Sequence, residues 1–176
     1  MNFRAAGKQA LAGVGSLEEL FARLVDLLER QRAVIDRLIE LGREETRALR
    51  DDDVACLGRL VAEQQVLSEE LGRLEKERMK LEEELARRVG QPEAAPMRQI
   101  LPLAGPRQEE LARLTAHLRS SCVRLKELNE TNRLLIQEAL AYVNQVLSAW
   151  GVQTPVYDHQ GRIRARDDRV ALNTVV

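Results

Sequence analysis

The feature that most constrains this chain is a leucine repeat between residues 57 and 85. Its members recur at alternating spacings of three and four, which places them on one side of an α-helix. Such a repeat is typical of a coiled-coil-like seam, so it predicts a long helix packed against other helices. The repeat consists of Leu57, Leu60, Gln64, Leu67, Leu71, Leu74, Arg78, Leu81 and Leu85.

A second helix is predicted before this repeat. Ser16 followed by Glu19 forms a capping-box pattern, so the helix is expected to begin at residue 16 and to end near Arg50. The aspartates at 51–53 can cap the next helix, which makes this acidic run a turn and not a metal site. A connection this short implies antiparallel neighbours. The apolar stripe of the first helix comprises Leu17, Phe21, Leu24, Leu28, Gln31, Ile35 and Leu38.

A proline-rich segment over residues 90–106 then interrupts the helical pattern, because proline lacks the amide that a continuous helix needs. We expect one short helical turn in it, around Met97 to Leu101. A third apolar stripe follows, and Gly151 and Pro155 end it. This stripe comprises Leu111, Leu114, Leu118, Ser121, Leu125, Leu128, Asn132, Leu135, Ala139, Tyr142, Val146 and Ala149.

These patterns predict an all-α fold: an elongated antiparallel three-helix bundle, coiled-coil-like, with a flexible C-terminal tail. A charged content of 31% with only 3% aromatic residues is typical of long helices. Buried leucines are expected to supply most of the stability. The expected segments are a disordered N-terminus over 1–15, helices over about 16–50, 53–89 and 107–150 within a bundle over 16–150, the linker over 90–106, and a mobile tail over 151–176.

Charge and apolar content exclude several kinds of partner. The formal net charge of -1 lacks the basic excess of a nucleic-acid-binding protein. The longest charge-free stretch is broken by polar residues and its helical part is too short to span a bilayer, so no membrane insertion is expected. No convincing targeting signal is present. Cys56 and Cys122 are far apart in sequence and lie within helical patterns, so a disulfide framework is not expected. A cytoplasmic location is therefore expected.

No catalytic, metal or cofactor site is predicted. A carboxylate-bridged metal pair in a helical bundle needs Glu-x-x-His motifs, and neither His117 nor His159 has a glutamate three residues earlier. The glutamates at 82–84 occupy consecutive helical positions with no apolar pocket to separate their pKa values. We therefore expect a protein that works by binding and is not an enzyme.

A second apolar stripe on the third helix is the candidate binding surface. It is displaced by one residue from the core stripe, and together the two cover a wider arc than one seam requires. One interpretation is that the first two helices flank the third on both sides. The other is a groove for an amphipathic helix of another protein. The stripe consists of Ile136, Leu140, Val143, Leu147 and Trp150.

Asn129 and Asn132 lie on the apolar side of the same helix and allow two interpretations. An asparagine at a core position can fix the register of packed helices. The carboxamides can also hydrogen-bond to the backbone of a partner.

The motif L-x-x-L-N-x-x-N-x-x-L, with a further apolar residue beside the last leucine, is similar to one in the FlgN family of flagellar export chaperones. Here it consists of Leu125, Leu128, Asn129, Asn132 and Leu135, with Leu134 or Ile136 beside the last. A distal Y-x-x-x-G at Tyr157 and Gly161 matches the same family, and residues 63–81 resemble its second helix. The resemblance covers most of the chain from about residue 16 to residue 161.

The resemblance implies a function for these residues. FlgN-like proteins bind the C-terminal helical regions of hook-filament junction proteins, prevent their premature assembly and deliver them to the cytoplasmic domain of the type III export gate. It implies that the third helix binds cargo. Together with the stripe and the asparagines described above, this makes the expected cargo-binding residues Asn129, Asn132, Leu135, Ile136, Leu140, Val143, Leu147 and Trp150. It also implies that Tyr157, Asp158 and Gly161 dock on the gate.

The alternative is that the chain is a structural coiled-coil protein without cargo. In it, the leucine repeat over residues 57–85 would pair between chains, and Gln64 and Arg78 would set the register. A weak homodimer is compatible with the chaperone interpretation.

Overall fold

The computed structural model describes residues 3–92, 97–150, 156–157 and 163–164, with side chains from residue 17 to residue 150 within these ranges. The chain divides into two compact units, Met1–Arg133 and Leu134–Val176. The elements in chain order are α1 (Phe3–Arg50), α2 (Val54–Arg88), α3 (Met97–Ile100), 3-10 turns at Leu101–Leu103 and Gly105–Arg107, α4 (Gln108–Ala149), β1 (Val156–Tyr157) and β2 (Ile163–Arg164).

The predominantly helical character predicted from the sequence is confirmed. The described residues form four helices and not three, because the turn expected in the proline-rich linker is the short helix α3. The predicted helix start at residue 16 is wrong, since α1 begins at Phe3 and residues 3–15, for which disorder was expected, continue the same helix. The predicted ends of α2 and α4 agree closely with the structure.

The aspartate run between α1 and α2 forms a tight turn, as predicted. Asp53 is the N-cap of α2, and its carboxylate accepts a 2.9 Å hydrogen bond from the backbone amide of Cys56. Asp52 has a φ of 54°, a left-handed conformation that aspartate tolerates better than most residues. This turn lets the chain reverse direction within three residues.

The helices α1 and α2 run antiparallel. Gln31 donates a 3.0 Å hydrogen bond to Glu75, and Arg37, farther along α1, forms a 2.9 Å ion pair with Glu63, which lies earlier on α2. The leucine repeat of α2 packs against α1: Leu60, Leu74, Leu81 and Leu85 are all buried, in clusters that contain α1 side chains. The seam predicted from the sequence is therefore an interface within the chain.

Within the first unit, α4 runs parallel to α1. Ser121 lies 3.4 Å from Asp36, and Asn132, farther along α4, donates a 2.8 Å hydrogen bond to the carbonyl of Gly42, farther along α1. The two helices approach closely at Gly42: a Cβ atom there would lie 2.6 Å from the Leu128 side chain.

The wide buried apolar surface belongs to α1. Besides the predicted stripe, α1 buries a second series at every seventh position, so α2 and α4 pack on different sides of it. Within the first unit, α1 therefore has a wider buried apolar surface than its predicted stripe. The interpretation that the first two helices flank the third concerns residues 136–150, which belong to the second unit. The additional series is Leu20, Leu27, Val34 and Leu41.

In the second unit, the structure describes the end of α4 and the two short strands. Val156 pairs with Arg164 and Tyr157 with Ile163 in an antiparallel ladder. The predicted core stripe does not continue into this part of α4: Leu135 and Val146 are half-buried, whereas Ala139, Tyr142 and Ala149 are exposed. The predicted mobility of the tail concerns residues that mostly lie outside the described ranges. None of the helices described offers an apolar stretch long enough to cross a bilayer.

Candidate binding surfaces

The end of α4 carries an exposed apolar surface, here called the distal strip: Ile136, Leu140, Val143, Leu147 and Trp150. Spacings of three and four place these side chains on one side of the helix. Leu140 is 57% exposed and Trp150 is 77% exposed, while Leu147 is half-buried. The second apolar stripe found in the sequence is thus largely open to solvent.

Most of the distal strip lies in a stretch of sequence without charged residues. No Asp, Glu, Lys or Arg occurs from Ala139 to Trp150, and Tyr142 on the neighbouring face is 70% exposed. Single exposed apolar residues are common, but a contiguous series along a helix usually marks an interaction surface. The spacing matches the anchor pattern by which amphipathic helices pack on one another.

Asn132 has a different environment from the distal strip. It is only 2% exposed, and its amide group donates to the Gly42 carbonyl at 2.8 Å and to the Glu45 carboxylate at 3.0 Å. The same Glu45 oxygen accepts a 2.9 Å hydrogen bond from Gln64 of α2, and Thr46 lies beside the Asn132 carbonyl. These contacts favour the register interpretation, because they join α1, α2 and α4 at one point.

We expect truncation of the two asparagines to have different effects on the free energy of unfolding. Asn132→Ala leaves the Gly42 carbonyl and the Glu45 carboxylate without their α4 donor, so the free energy of unfolding should fall by about 1–3 kcal/mol. Asn129→Ala is the matched control, since Asn129 is exposed and should tolerate truncation with a change below about 0.5 kcal/mol. Urea denaturation followed by circular dichroism measures both. Equal losses in the two variants would contradict the assignment of Asn132 as the register residue.

A second candidate surface lies in the first unit, where α1, α2, α4 and Met97 of α3 line an open groove of about 720 Å³, here called the interhelical groove. Its floor and walls are mostly apolar, and Asn129 lies on its lining. The apolar lining includes Leu28, Ile35 and Leu38 of α1, Leu71 of α2, and Leu118 and Leu125 of α4.

A small charged network lies on the α2 wall of the interhelical groove. Arg78 bonds to both Glu75 and Glu82, and Gln31 from α1 donates to Glu75 at 3.0 Å. The hydrogen bond from Arg78 lowers the pKa of Glu75, and the same bond raises the pKa of Arg78. Burial raises the pKa of Glu82 despite its pairing with Arg78. The network places two carboxyl groups and one guanidinium group beside a mostly apolar cavity.

Within the described residues, a Ser-His-Asp cluster is found whose geometry does not suit nucleophilic catalysis. Ser121 and Asp36 lie 3.3 Å and 3.4 Å from the same nitrogen of His117, Nε2. A catalytic triad instead needs the serine on one ring nitrogen and the carboxylate on the other. Among the residues that the structure describes, no group of three or more His, Cys, Asp or Glu side chains is arranged to hold a metal ion.

The residues predicted to dock on an export gate are placed only in part. The backbone of Tyr157 belongs to β1 and pairs with Ile163 of β2. Asp158 and Gly161 lie outside the described residues.

The interhelical groove is the surface that the sequence analysis missed. Its apolar members belong to stripes that had been assigned to the core, and Ser68, Gly72 and Cys122 carry no periodic signal. These three residues are small and lie at the edges of two apolar stripes. Because small residues leave space between neighbouring helices, their size was the feature of the sequence that could have indicated a groove.

The sequence matches the family model described as FlgN protein over residues 20–164. This range includes the interhelical groove, the Asn132 contacts, the distal strip and Tyr157. Searches of curated protein sequences and of solved structures gave no significant match.

Proposed function

We propose that this chain, which belongs to the FlgN family of flagellar export chaperones, uses the distal strip to bind the C-terminal helical regions of hook-filament junction proteins. The observation that carries the proposal is the exposure of Ile136, Leu140, Val143 and Trp150 on one side of α4. We place the chaperone in the cytoplasm, where it prevents premature assembly of the cargo and delivers it to the type III export gate. The family is one of chaperones and not of enzymes.

The chemistry of the distal strip suits this task. A junction-protein helix that later packs into a filament has an apolar face that must be covered beforehand, and an apolar strip on another helix is an exchangeable cover. Each large side chain fully buried contributes roughly 1.5–3 kcal/mol, before the cost of association is subtracted. The affinity stays finite, so the export gate can remove the cargo. Leu135, half-buried at the start of the second unit, extends the proposed cargo surface. Asn129 is exposed in the first unit and is proposed as a separate cargo contact, whereas Asn132 is buried there.

The structural coiled-coil alternative loses its basis in α2. Pairing between chains would need the leucine repeat to be free, but Leu74 and Leu85 of that repeat are fully buried. Arg78, one of its proposed register residues, bonds instead to Glu75 and Glu82 of the same helix. A cargo-free oligomer built on α2 would therefore require the first unit to unfold.

Light scattering combined with titration tests the proposed function. Purified protein mixed with the C-terminal helical region of a junction protein should form a complex of defined stoichiometry with a saturable affinity. A peptide of the same composition with its apolar residues scrambled is the control and should not bind. A tight extended oligomer that ignores the junction-protein region would support the coiled-coil alternative and contradict the chaperone proposal.

If Tyr157 contacts the export gate, its substitution should impair gate binding without impairing cargo binding. Tyrosine is a favoured interface anchor, because it offers a large area and a hydroxyl group with few rotamers to immobilise. Tyr157→Ala should keep cargo affinity within about threefold, a difference below roughly 0.7 kcal/mol. The same variant should lose binding to the cytoplasmic domain of the export gate in a pull-down assay and should reduce motility.

Tyr157→Phe is the matched control, since it retains the ring and removes only the hydroxyl. A melting curve is recorded for each variant, because a tyrosine that only clamps the fold would reveal itself there. If Tyr157→Ala lowers the melting temperature by several degrees while gate binding persists, Tyr157 is a structural residue and the docking role is wrong.

A further inference from the structure

The two short strands of the second unit bring residues together that are separated in the sequence. In the antiparallel pair of β1 and β2, Tyr157 is directly opposite Ile163. Val156 is directly opposite Arg164. Residues 158–162 connect the strands, a length that is common for a hairpin connection. Ile163 belongs to no motif of the sequence, so only the register of the strands makes it a neighbour of Tyr157.

The register also assigns these four residues to the two faces of the hairpin. Successive residues of a strand alternate between faces, and residues directly opposite each other in an antiparallel pair share a face. Tyr157 and Ile163 therefore belong to one face, here called the Tyr-Ile face. Val156 and Arg164 belong to the other face.

The two faces differ in chemistry. The Tyr-Ile face combines an aromatic residue with a branched aliphatic residue, and neither of them is charged at neutral pH. The opposite face combines a valine with a permanent cation, Arg164. An aromatic residue beside a branched aliphatic one is a stabilising cross-strand pair and is also suited to fill an apolar recess on a partner. The Tyr-Ile face is therefore the better candidate for a buried contact.

The small size of the sheet favours a partner on this face. Each strand comprises two residues, and the described sheet contains these two strands. An isolated two-stranded hairpin is marginally stable in water, because it has little apolar area to bury. A partner that covers the Tyr-Ile face would both gain that apolar area and stabilise the hairpin.

We propose that Ile163 docks on the export gate together with Tyr157, as the two adjacent anchors of the Tyr-Ile face in an apolar recess of the gate's cytoplasmic domain. This inference rests on the proposed function, which supplies the gate as the partner of Tyr157. It adds Ile163 as a second contact residue and makes the β1–β2 hairpin the docking unit.

Two threonine substitutions test the face assignment. Ile163→Thr and Val156→Thr each replace a β-branched apolar residue by another β-branched residue, so both variants keep a high preference for strands. In a titration with the purified cytoplasmic domain of the export gate, Ile163→Thr should bind about tenfold more weakly, because a hydroxyl group replaces apolar area in the contact. Val156→Thr, the matched control on the opposite face, should stay within about twofold of the wild type.

A locked hairpin separates contact with the gate from formation of the hairpin. Opposed Cα atoms of an antiparallel pair are about 4.5–5.5 Å apart, a separation that a disulfide can bridge. Val156→Cys combined with Arg164→Cys therefore closes the hairpin covalently. Cys56→Ala and Cys122→Ala remove the two native cysteines, so no other disulfide can form. In this oxidised background, Ile163→Thr should still weaken gate binding about tenfold.

The inference is overturned if Ile163→Thr binds the gate domain like the wild type while Tyr157→Ala does not bind, and the proposed function then stands with Tyr157 acting alone. Equal losses in Val156→Thr and Ile163→Thr would also overturn it, because the contact would not follow one face. The same holds if Ile163→Thr has no effect in the locked hairpin, since Ile163 would then only support the strand pairing. A wild type that fails to bind the gate domain overturns the gate-docking part of the proposed function and this inference together.

Discussion

Leu74→Ala should lower the free energy of unfolding by about 2–5 kcal/mol, the usual range for removing a leucine side chain from a packed core. Leu74 is fully buried, and it belongs to the same core cluster as Leu24 of α1 and Leu111 of α4. Truncation leaves a cavity that the surrounding helices can close only in part. Urea denaturation monitored by circular dichroism gives the free energy directly.

Val66→Ala is the matched control for this prediction. Val66 lies on the same helix but is 64% exposed, so its truncation should change stability by less than about 0.5 kcal/mol. A Leu74→Ala variant as stable as Val66→Ala would mean that the leucine repeat of α2 does not pack within the chain. The structural coiled-coil alternative would then regain its basis.

Leu140→Asp should reduce cargo affinity about 100-fold, roughly 2.7 kcal/mol, while leaving the melting temperature of the free protein nearly unchanged. The affinity falls because the complex loses one buried leucine and gains a carboxylate that must leave water without a partner. The free protein tolerates the change because Leu140 is 57% exposed. Isothermal titration with the junction-protein C-terminal region and a thermal melt supply the two values.

Val123→Asp controls for the added charge. Val123 is another exposed apolar residue of α4, 54% exposed and outside the distal strip, so its replacement should leave cargo affinity within about threefold. If Leu140→Asp unfolds the protein as a core substitution would, the distal strip is core and the cargo assignment fails. Equal losses of affinity in both variants would mean that charge on α4, and not the strip, governs binding.

Most of the helical framework was predictable because it depends on local signals. The leucine repeat indicated α2, and the aspartate run indicated the turn before it. Proline and glycine indicated where α4 begins and ends. The start of α1 was missed because Ser16 and Glu19 form a capping pattern that an uninterrupted helix also accommodates. A capping pattern marks a helix start only where the preceding residues cannot continue the helix.

The assignment of neighbours was less predictable, for a different physical reason. Periodicity shows which side of a helix is apolar but not which helix covers it. The heptad series that includes Leu20 and Leu41 on α1 was visible in the sequence, yet only packing reveals that α1 is covered on two sides. The environments of Asn129 and Asn132 were equally ambiguous, since the burial of Asn132 depends on Gly42 and Glu45 of a distant helix.

Hydrogen-deuterium exchange on the cargo complex tests the central claim most directly. The protein is compared alone and saturated with the C-terminal helical region of a hook-filament junction protein, under conditions where the free chain is monomeric. The account predicts added protection over residues 134–150, with little change over α2. Saturable binding that protects α1 and α2 but leaves residues 134–150 unchanged, or no binding at all, would contradict it.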